Sequence, residues 1–267
     1  MRPLAEWTRE KAARVSILFS DIDDTISSEG RIPAPAYRAL WQAHEAGLAV
    51  VPVTGRPAGW CDHIARMWPV HGVIGENGGL VFRMEGGRLR RDFVYDSATR
   101  TGFREKLQAV RERILREVPG CAIASDQSYR EYDLAIDFCE DVPRLPREDV
   151  LKIQRLFEEA GATAKISSIH VNGWYGHFDK LSAAREYLRQ HFDMDPDSPP
   201  TQSICAFAGD SPNDEPMFSF FREGSVGVAN LLDFRDLLEH EPAWITPARG
   251  GAGFAELVDH LLAARSS

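Results

Sequence analysis

The chain has 267 residues, of which 43% are hydrophobic and 27% are charged. This composition is typical of a soluble globular protein and excludes a disordered chain. No apolar run approaches the about 20 residues of a membrane-spanning helix, so no membrane partner is expected. The formal net charge is −9. Because a nucleic-acid backbone is bound by a dense basic surface, nucleic acid is not expected as the main partner.

The amino-terminal segment lacks the apolar region of a secretory signal. Four cysteines lie far apart and show no C-x-x-C spacing, so neither a zinc site nor a redox pair is indicated. They are Cys61, Cys121, Cys139 and Cys205. We therefore expect reduced, mostly buried thiols in a cytoplasmic protein.

Short apolar runs alternate with helical patterns in the first third of the chain. Strands are predicted at residues 15–19, 48–53 and 70–74, and helices at 33–46 and 58–67. Strand–helix–strand repetition at this spacing predicts βαβ units around a parallel sheet.

The pattern changes after Gly79. The elements predicted there are a β-hairpin at 80–94, a long helix up to Pro119, a half-buried strand at 134–138, a helix from Pro146 to Gly161 and a strand at 166–171. Hairpin-type strands with one solvated face are typical of a two-layer α+β module. We expect residues 83–172 to form such a module, inserted into an α/β domain made of residues 1–82 and 173–267.

The βα pattern then returns. The predicted elements are a helix capped by Asp179, a polar proline-rich loop at 193–200, strands at 204–207 and 226–228, and amphipathic helices at 231–239 and 254–264.

Four polar clusters follow predicted strands or open the helix after the inserted module. They are Asp21 with Asp23, residues 54–56, Lys180, and residues 209–214. In an open parallel sheet, ligands bind at the carboxyl ends of the strands. Each acid alone is equally compatible with a solvated loop position or a helix cap. Several converging carboxylates, however, repel one another unless a hard cation such as Mg²⁺ lies among them.

The combined pattern resembles the haloacid dehalogenase superfamily of phosphohydrolases. Its D-x-D-x-T motif is residues 21–25, its second motif is residues 53–56, its third motif contains Lys180, and its fourth is G-D-S-P-N-D at 209–214. The motifs occur in the family's order along the whole chain. One departure is Asp24, where glycine is commoner in the family.

The segment Glu76-Asn77-Gly78-Gly79 resembles the one that precedes the cap in the type IIB, or Cof-like, branch. The resemblance implies an α/β fold: a Rossmann-like core with a parallel sheet, plus an inserted α+β cap of the C2B type. The cap would close over the site and select the substrate.

The resemblance also implies catalytic roles. Asp21 would attack phosphorus to form an aspartyl-phosphate, and Asp23 would protonate the leaving oxygen and then activate water. The Thr54 hydroxyl and the Lys180 ammonium would neutralise the phosphoryl oxygens.

Mg²⁺ is the implied cofactor. Its ligands would be Asp21, the backbone carbonyl of Asp23 and Asp210. Asp214 and Asn213 would act through water or by orienting Lys180.

Substrate contacts are expected from both sides of the site. The polar and aromatic stretch 167–177 suits a sugar or polyol. The expected contact residues are Arg56, Asn77, His170, Asn172 and Asn213, with Arg130, Tyr132, His177 and Glu76 as further candidates. The Ser-Pro pair of motif four is similar to mannosyl-3-phosphoglycerate phosphatases, whereas Thr-Gly-Arg is closer to sucrose-phosphate phosphatases. We expect a small phosphorylated sugar or sugar acid.

Two other functions remain open at this stage. A phosphomannomutase-like enzyme would need cap arginines for a second phosphate, and Arg100, Arg104 and Arg130 are available. A receiver-like phosphoaspartate domain also uses clustered acids, a threonine and a lysine, but needs only about 120 residues and no insert. The oligomeric state is left open.

Overall fold

The computed structural model describes residues 1–167 and 169–265. Its largest sheet has six strands that all pair in parallel. In spatial order they are β1 (Arg2–Pro3), β13 (Trp244–Ile245), β12 (Ser225–Gly227), β11 (Cys205–Gly209), β2 (Ile17–Ser20) and β3 (Ala49–Pro52). The two-residue strands β1 and β13 were not predicted, because two residues are too short to show an alternating pattern.

Helices cover both faces of this sheet because its strands alternate their side chains. Leu18 packs into one buried cluster, whereas its neighbours Ile17 and Phe19 pack into the other. The helices of this part are α1 (Arg9–Arg14), α2 (Ala34–Glu45), α3 (Ala58–Met67), α6 (Lys180–Phe192), α7 (Pro199–Ile204), α8 (Glu215–Phe220) and α9 (Gly250–Arg265).

Two predictions for this region differ from the structure. The helix α7 begins inside the predicted proline-rich loop, because Ser198 caps it and Pro199 is tolerated in its first turn. The segment predicted as an amphipathic helix at 231–239 is a 3₁₀ helix over Ala229–Leu237.

A second, antiparallel sheet continues from the edge of the first. It consists of β4 (Val73–Gly75), β5 (Leu80–Glu85) and β6 (Arg88–Phe93), and a bridge between Val53 and Ile74 links it to the β3 side. Leu80 and Phe82 pack into the same buried cluster as Ala58 of α3. The hairpin predicted at 80–94 therefore lies with the α/β part, although the boundary at residue 83 assigned most of it to the inserted module.

A third sheet has the spatial order β7 (Ala122–Ile123), β8 (Leu134–Asp137), β10 (His170–Trp174) and β9 (Thr163–Ile166). The helices α4 (Ser97–Glu117) and α5 (Arg147–Glu159) share a buried apolar cluster with one face of it. We propose that this sheet and these two helices form the cap, and that the α/β part forms the core.

The single strand predicted at 166–171 is wrong. The structure has two antiparallel strands, β9 and β10, of which the first ends at Ile166 and the second begins at His170. Ser167 ties the two strand ends together, because its hydroxyl accepts a hydrogen bond from the His170 amide at 3.0 Å and donates one to the His170 carbonyl. A serine hydroxyl that replaces a backbone partner in this way favours a turn inside an otherwise apolar run. Residue 168, which belongs to the predicted polar stretch, lies outside the described residues.

The four cysteines form no disulfide with one another; Cys61 and Cys205 are buried and the other two are half-buried. No helix in the described part of the chain is both long and apolar enough to cross a membrane.

Candidate active site

The polar clusters predicted from the sequence meet at one edge of the parallel sheet. Asp21 follows β2, Thr54 follows β3 and Asp210 follows β11. These three strands are neighbours and run in the same direction, so their carboxyl ends lie side by side. The amide of Asp21 donates to the Ala208 carbonyl at 2.9 Å, which extends the pairing of β2 with β11 to the first acid of the site.

Three buried carboxylates surround one point at this edge. Single oxygens of Asp21, Asp210 and Asp214 all lie within 4.8 Å of one another. The Lys180 ammonium is 2.8 Å from Oδ1 of Asp21 and 2.8 Å from Oδ1 of Asp214. Asp214 is thus placed beside both the other two acids and the lysine.

Lys180 is the first residue of α6, a position set by a capping box in which the side chains of Asp179 and Ser182 exchange hydrogen bonds with each other's backbone. A cation at a helix N-terminus is disfavoured by the helix dipole, and burial adds a second cost. The two carboxylates outweigh both effects and raise the pKa of Lys180 above its usual value. Its ammonium is therefore held in the charged form.

The cluster carries more negative than positive charge. Burial, helped by Asp214 and Asp23, raises the pKa of Asp21 to about 7 even though Lys180 opposes the shift. Burial and the neighbouring carboxylates of Asp21 and Asp214 raise the pKa of Asp210 well above its usual value. Buried carboxylates with this excess charge are the oxygen donors that a hard divalent cation prefers, so the residues present fit Mg²⁺.

Gly209 allows the fourth motif to fold around this cluster. A Cβ atom at this position would lie 2.5 Å from Oδ2 of Asp214. The same oxygen accepts a hydrogen bond from the Asp210 amide at 3.2 Å. Only a residue without a side chain lets Asp214 approach the backbone here while it holds Lys180.

Asp23 lies beside this cluster but is paired with a cation. The Arg56 guanidinium donates three hydrogen bonds to its two oxygens, at 2.7 to 3.1 Å. A second acid, Glu140, is 3.6 Å from Arg56, and the guanidinium also stacks over Trp60. The side chain of Asp23 therefore points to Arg56, which leaves its backbone carbonyl as the group expected to face the metal.

Asp24, the departure from the family motif, has a backbone φ of +56°. This left-handed region explains why glycine is commoner there. Aspartate is one of the few other residues that adopts it at modest cost, and here its carbonyl accepts a hydrogen bond from Asn230 at 2.6 Å.

One cavity between the core and the cap is lined by most of the predicted site residues. These are Asp21, Asp23, Arg56, Asn77, His170, Asn172, Lys180, Asp210 and Asn213. Thr54 is fully buried just below, and its hydroxyl accepts a hydrogen bond from the Arg56 amide at 3.0 Å. Asp214 is fully buried behind Lys180.

The cap contributes the polar face of its sheet to this cavity. His170 and Asn172 are two residues apart on β10, and Lys165 of β9 pairs directly with Asn172. Burial and the nearby Arg130 lower the pKa of His170 to about 4, so its imidazole is neutral. Its Nε2 is 2.9 Å from Glu140, but this contact lacks hydrogen-bond geometry.

Arg130 links the cap to the core. It is buried, donates hydrogen bonds to the carboxylates of Asp126 and Asp133, and donates to the Gly55 carbonyl at 3.1 Å. Asp133 also accepts a hydrogen bond from Asn172 Nδ2 at 2.7 Å. Arg130 lines the cavity as expected, but both of its acid partners belong to the cap itself.

Three further candidates do not line this cavity. Glu76 is fully buried and accepts backbone hydrogen bonds from Ala58 and from residues 131–133. Tyr132 packs among aromatic rings, and His177 is exposed beside a different groove. All three lie near the junction of core and cap, which their sequence positions alone could not distinguish from the site.

Sequence reasoning missed Lys165 and Ser211, which also line the cavity. Ser211 belongs to the fourth motif and was identifiable from it. Lys165 follows from the alternation of β9 only when its register with β10 is known, since the turn between them was not predicted.

Residues 18–100 match the family of haloacid dehalogenase-like hydrolases. No curated protein matches the chain in sequence. Several solved structures have the same fold over nearly the whole chain. A protein of Thermoplasma acidophilum has a TM-score of 0.71 and 18% identity, covering 93% of this chain and 98% of its own.

Two further structures belong to named phosphatases. The sucrose-phosphatase from Synechocystis sp. PCC6803, crystallised with sucrose and phosphate, has a TM-score of 0.61 and 19% identity, with coverage of 92% and 97%. A sugar phosphatase of haloacid dehalogenase subclass IIB has a TM-score of 0.59 and 16% identity, with coverage of 92% and 98%. At these identities the likeness concerns the fold. The matched segment thus resembles haloacid dehalogenase-like hydrolases, and the chain as a whole shares the fold of these structures.

Proposed function

We propose that this protein is a Mg²⁺-dependent phosphatase that cleaves a small phosphomonoester through an aspartyl-phosphate on Asp21. The observation that carries the proposal is the buried Asp21 carboxylate, held 2.8 Å from the Lys180 ammonium and beside Asp210 at the floor of a covered cavity. A carboxylate that is oriented by a fixed cation and shielded from bulk water is a competent nucleophile toward phosphorus.

The residues divide the reaction into two steps. In the first, an oxygen of Asp21 bonds to phosphorus while the ester P–O bond breaks and Asp23 gives a proton to the leaving oxygen. In the second, Asp23 takes a proton from water, which attacks the aspartyl-phosphate and releases inorganic phosphate. Lys180 and the Thr54 hydroxyl offset the negative charge of the phosphoryl oxygens.

Mg²⁺ would be held by Asp21, Asp210 and the Asp23 carbonyl, and when bound it offsets the repulsion between a carboxylate and a phosphate dianion. Asp214 would position Lys180 from behind. Asp23 can act on the leaving oxygen only after Arg56 releases it, so we propose that substrate entry draws the Arg56 guanidinium toward the substrate.

The polar face of the cap sheet supports a phosphorylated sugar or sugar acid as the substrate. His170 and Asn172 face the cavity opposite the carboxylates, and Asn77 and Asn213 contribute amides from the core. Sites that combine amide and imidazole groups suit the hydroxyls of a polyol. The likeness of the fold to sugar and sucrose phosphatases agrees with this substrate class.

Hydrolysis is favoured over the two alternatives. A phosphosugar mutase would need free cap cations for a second phosphate, but Arg100 and Arg104 both pair with Glu131, and Arg130 is held by two acids. A receiver-like domain keeps its phosphoaspartate, whereas Asp23 beside Asp21 promotes its hydrolysis. We also propose a cytoplasmic location, because four cysteines that form no disulfide with one another are typical of a reducing compartment.

Replacement of the nucleophile tests the proposal. Asp21→Asn should lower the rate of phosphate release from a panel of phosphorylated sugars by about 1,000-fold or more, because the amide cannot form the acyl phosphate. The matched control is Asp259→Asn, an exposed position of α9 that should leave the rate unchanged. Circular dichroism would verify the fold of both variants, and turnover that survives Asp21→Asn in a folded protein would refute the nucleophile.

Removal of the metal is the second test. Dialysis against EDTA should abolish phosphate release, because the excess negative charge at Asp21 and Asp210 then repels the substrate. Readdition of Mg²⁺ should restore the activity. Full activity in the chelated protein would contradict the metal assignment while leaving the nucleophile in place.

A further inference from the structure

The basic side chains that line the catalytic cavity differ in whether they pair with an acidic side chain. Four basic side chains line it: Arg56, Arg130, Lys165 and Lys180. Arg56 pairs with Asp23 and Glu140, Arg130 pairs with Asp126 and Asp133, and Lys180 pairs with Asp21 and Asp214.

Lys165 is the exception. Among the described residues, no acidic side chain lies within ion-pair distance of its ammonium. Its side chain is exposed, and its strand β9 forms the edge of the cap sheet, where it stands opposite Asn172. An unpaired ammonium that faces a cavity keeps its charge available for a ligand.

The position of Lys165 determines which part of the substrate it meets. The phosphoryl-binding groups lie on the core floor, at Asp21 and Lys180, whereas Lys165 projects from the cap. A phosphoryl group seated on the floor therefore directs its leaving group toward Lys165 and the adjoining cap side chains.

Those neighbours are polar but uncharged. His170 is 3% exposed, and its Nε2 lies 2.9 Å from a Glu140 oxygen but makes no hydrogen bond of good geometry. Asn172 uses its Nδ2 on Asp133, so its carbonyl oxygen remains to accept a hydrogen bond from a ligand hydroxyl. A buried polar atom without a partner costs free energy, which a ligand's hydroxyl would recover.

We propose that the substrate's leaving group carries a carboxylate that binds Lys165 and a hydroxyl that binds His170, so that the substrate is a phosphorylated hydroxy acid. The inference rests on the proposed phosphatase activity and narrows its substrate class. The single positive charge of the Lys165 ammonium matches the single negative charge of a carboxylate. A second phosphate dianion would require more free cations than this cavity offers.

Pairs of phosphate esters that differ only in whether they carry the carboxylate test the inference. 2-Phosphoglycerate and glycerol 2-phosphate differ by a carboxylate in place of a hydroxymethyl group, and 6-phosphogluconate and sorbitol 6-phosphate differ in the same way. For the unmodified protein, kcat/KM should be about 10- to 100-fold higher for the acid of each pair, which is the usual worth of a hydrogen bond to a charged group.

Lys165→Met should remove this preference while leaving kcat/KM for the neutral esters nearly unchanged, because the substitution keeps the length and apolar stem of the side chain. Lys165→Arg should retain most of the preference. Lys106→Met is the matched control, since Lys106 is an exposed lysine of the cap helix α4 that does not line the cavity.

The outcomes separate the two proposals. A preference that persists in Lys165→Met, or equal rates for acid and neutral esters in the unmodified protein, would overturn the inference while the phosphatase stands. Failure to release phosphate from any ester would contradict the phosphatase.

A binding measurement tests the role of Lys165 even where no phosphate is released. Calorimetry on the Asp21→Asn variant should show tighter binding of 2-phosphoglycerate than of glycerol 2-phosphate, and addition of Lys165→Met should equalise the two. Equal affinities before that second substitution would refute the role of Lys165 independently of turnover. A fructose 1,6-bisphosphate that binds more tightly than 2-phosphoglycerate would likewise overturn the carboxylate assignment.

Discussion

At the scale of single residues, the site concentrates charges that would destabilise an ordinary protein interior. Asp21, Asp210 and Asp214 are each 6% exposed or less, and the Lys180 ammonium pairs with only two of them, Asp21 and Asp214. Their mutual repulsion and desolvation oppose folding unless a cation is bound. Functional sites commonly keep groups that lower stability in this way.

Asp210→Asn should therefore raise the stability of the metal-free protein by about 1–2 kcal/mol, because it removes one buried repelling charge. Oδ1 of Asp210 accepts a hydrogen bond from the Thr25 hydroxyl at 3.4 Å, and the amide oxygen of the asparagine can accept the same bond. Denaturant melts with and without MgCl₂ provide the measurement: Mg²⁺ should stabilise the unmodified protein and have little effect on the variant. Equal stabilisation of both by Mg²⁺ would place the cation elsewhere.

At the scale of elements, the ends of β2, β3 and β11 were predictable because each follows an apolar run with polar residues directly after it. The orientation of the side chains that follow these strands was less predictable. Arg56, expected to contact the substrate, is turned toward Asp23 and Glu140, because these acids come from a neighbouring loop and from the cap. Their approach depends on packing between segments that are distant in the chain.

Gly209, the last residue of β11, offers a prediction at this scale. Gly209→Ala should destabilise the protein by about 1–3 kcal/mol and lower kcat by at least about tenfold, because the methyl group would displace Asp214 from Lys180. Gly102→Ala is the matched control. Its Cβ would meet no atom within 4 Å inside α4, so it should stabilise the helix by about 1 kcal/mol. Thermal melts of the two variants measure the change in stability, and their steady-state rates measure the change in kcat.

At the scale of the whole molecule, Glu76 joins the core to the cap. Its Oε1 accepts from the Ala58 amide at the start of α3, and both oxygens accept from the backbone at Glu131. Burial, together with the Asp133 carboxylate, raises its pKa to about 7 against these backbone N–H groups. The relative placement of the two parts thus depends on a titratable group.

Because the pKa of Glu76 is higher in the folded protein than its ordinary value of 4.5, the folded state holds the proton more tightly. Its contribution to stability is present below pH 4.5 and is lost as the pH rises through about 7. Over that pH interval, Glu76 should lower the free energy of unfolding by an amount of order 3 kcal/mol. Glu76→Gln should remove this contribution to the pH dependence. Urea melts of both proteins at pH 5 and 8 measure it, and parallel pH profiles would exclude Glu76 as the source.

The amino-acid sequence by itself determined the βα pattern, the polar ends of three strands and the resemblance of the motifs, since these depend on local spacing and periodicity. It also placed Asp179 as the cap that starts α6 at Lys180. Only the tertiary structure decided that the 80–93 hairpin packs against α3, that β9 and β10 are separate strands, and that Lys165 faces the cavity while Glu76 does not. The physical reason is that strand register, burial and ion-pair choice arise from contacts between residues far apart in the chain.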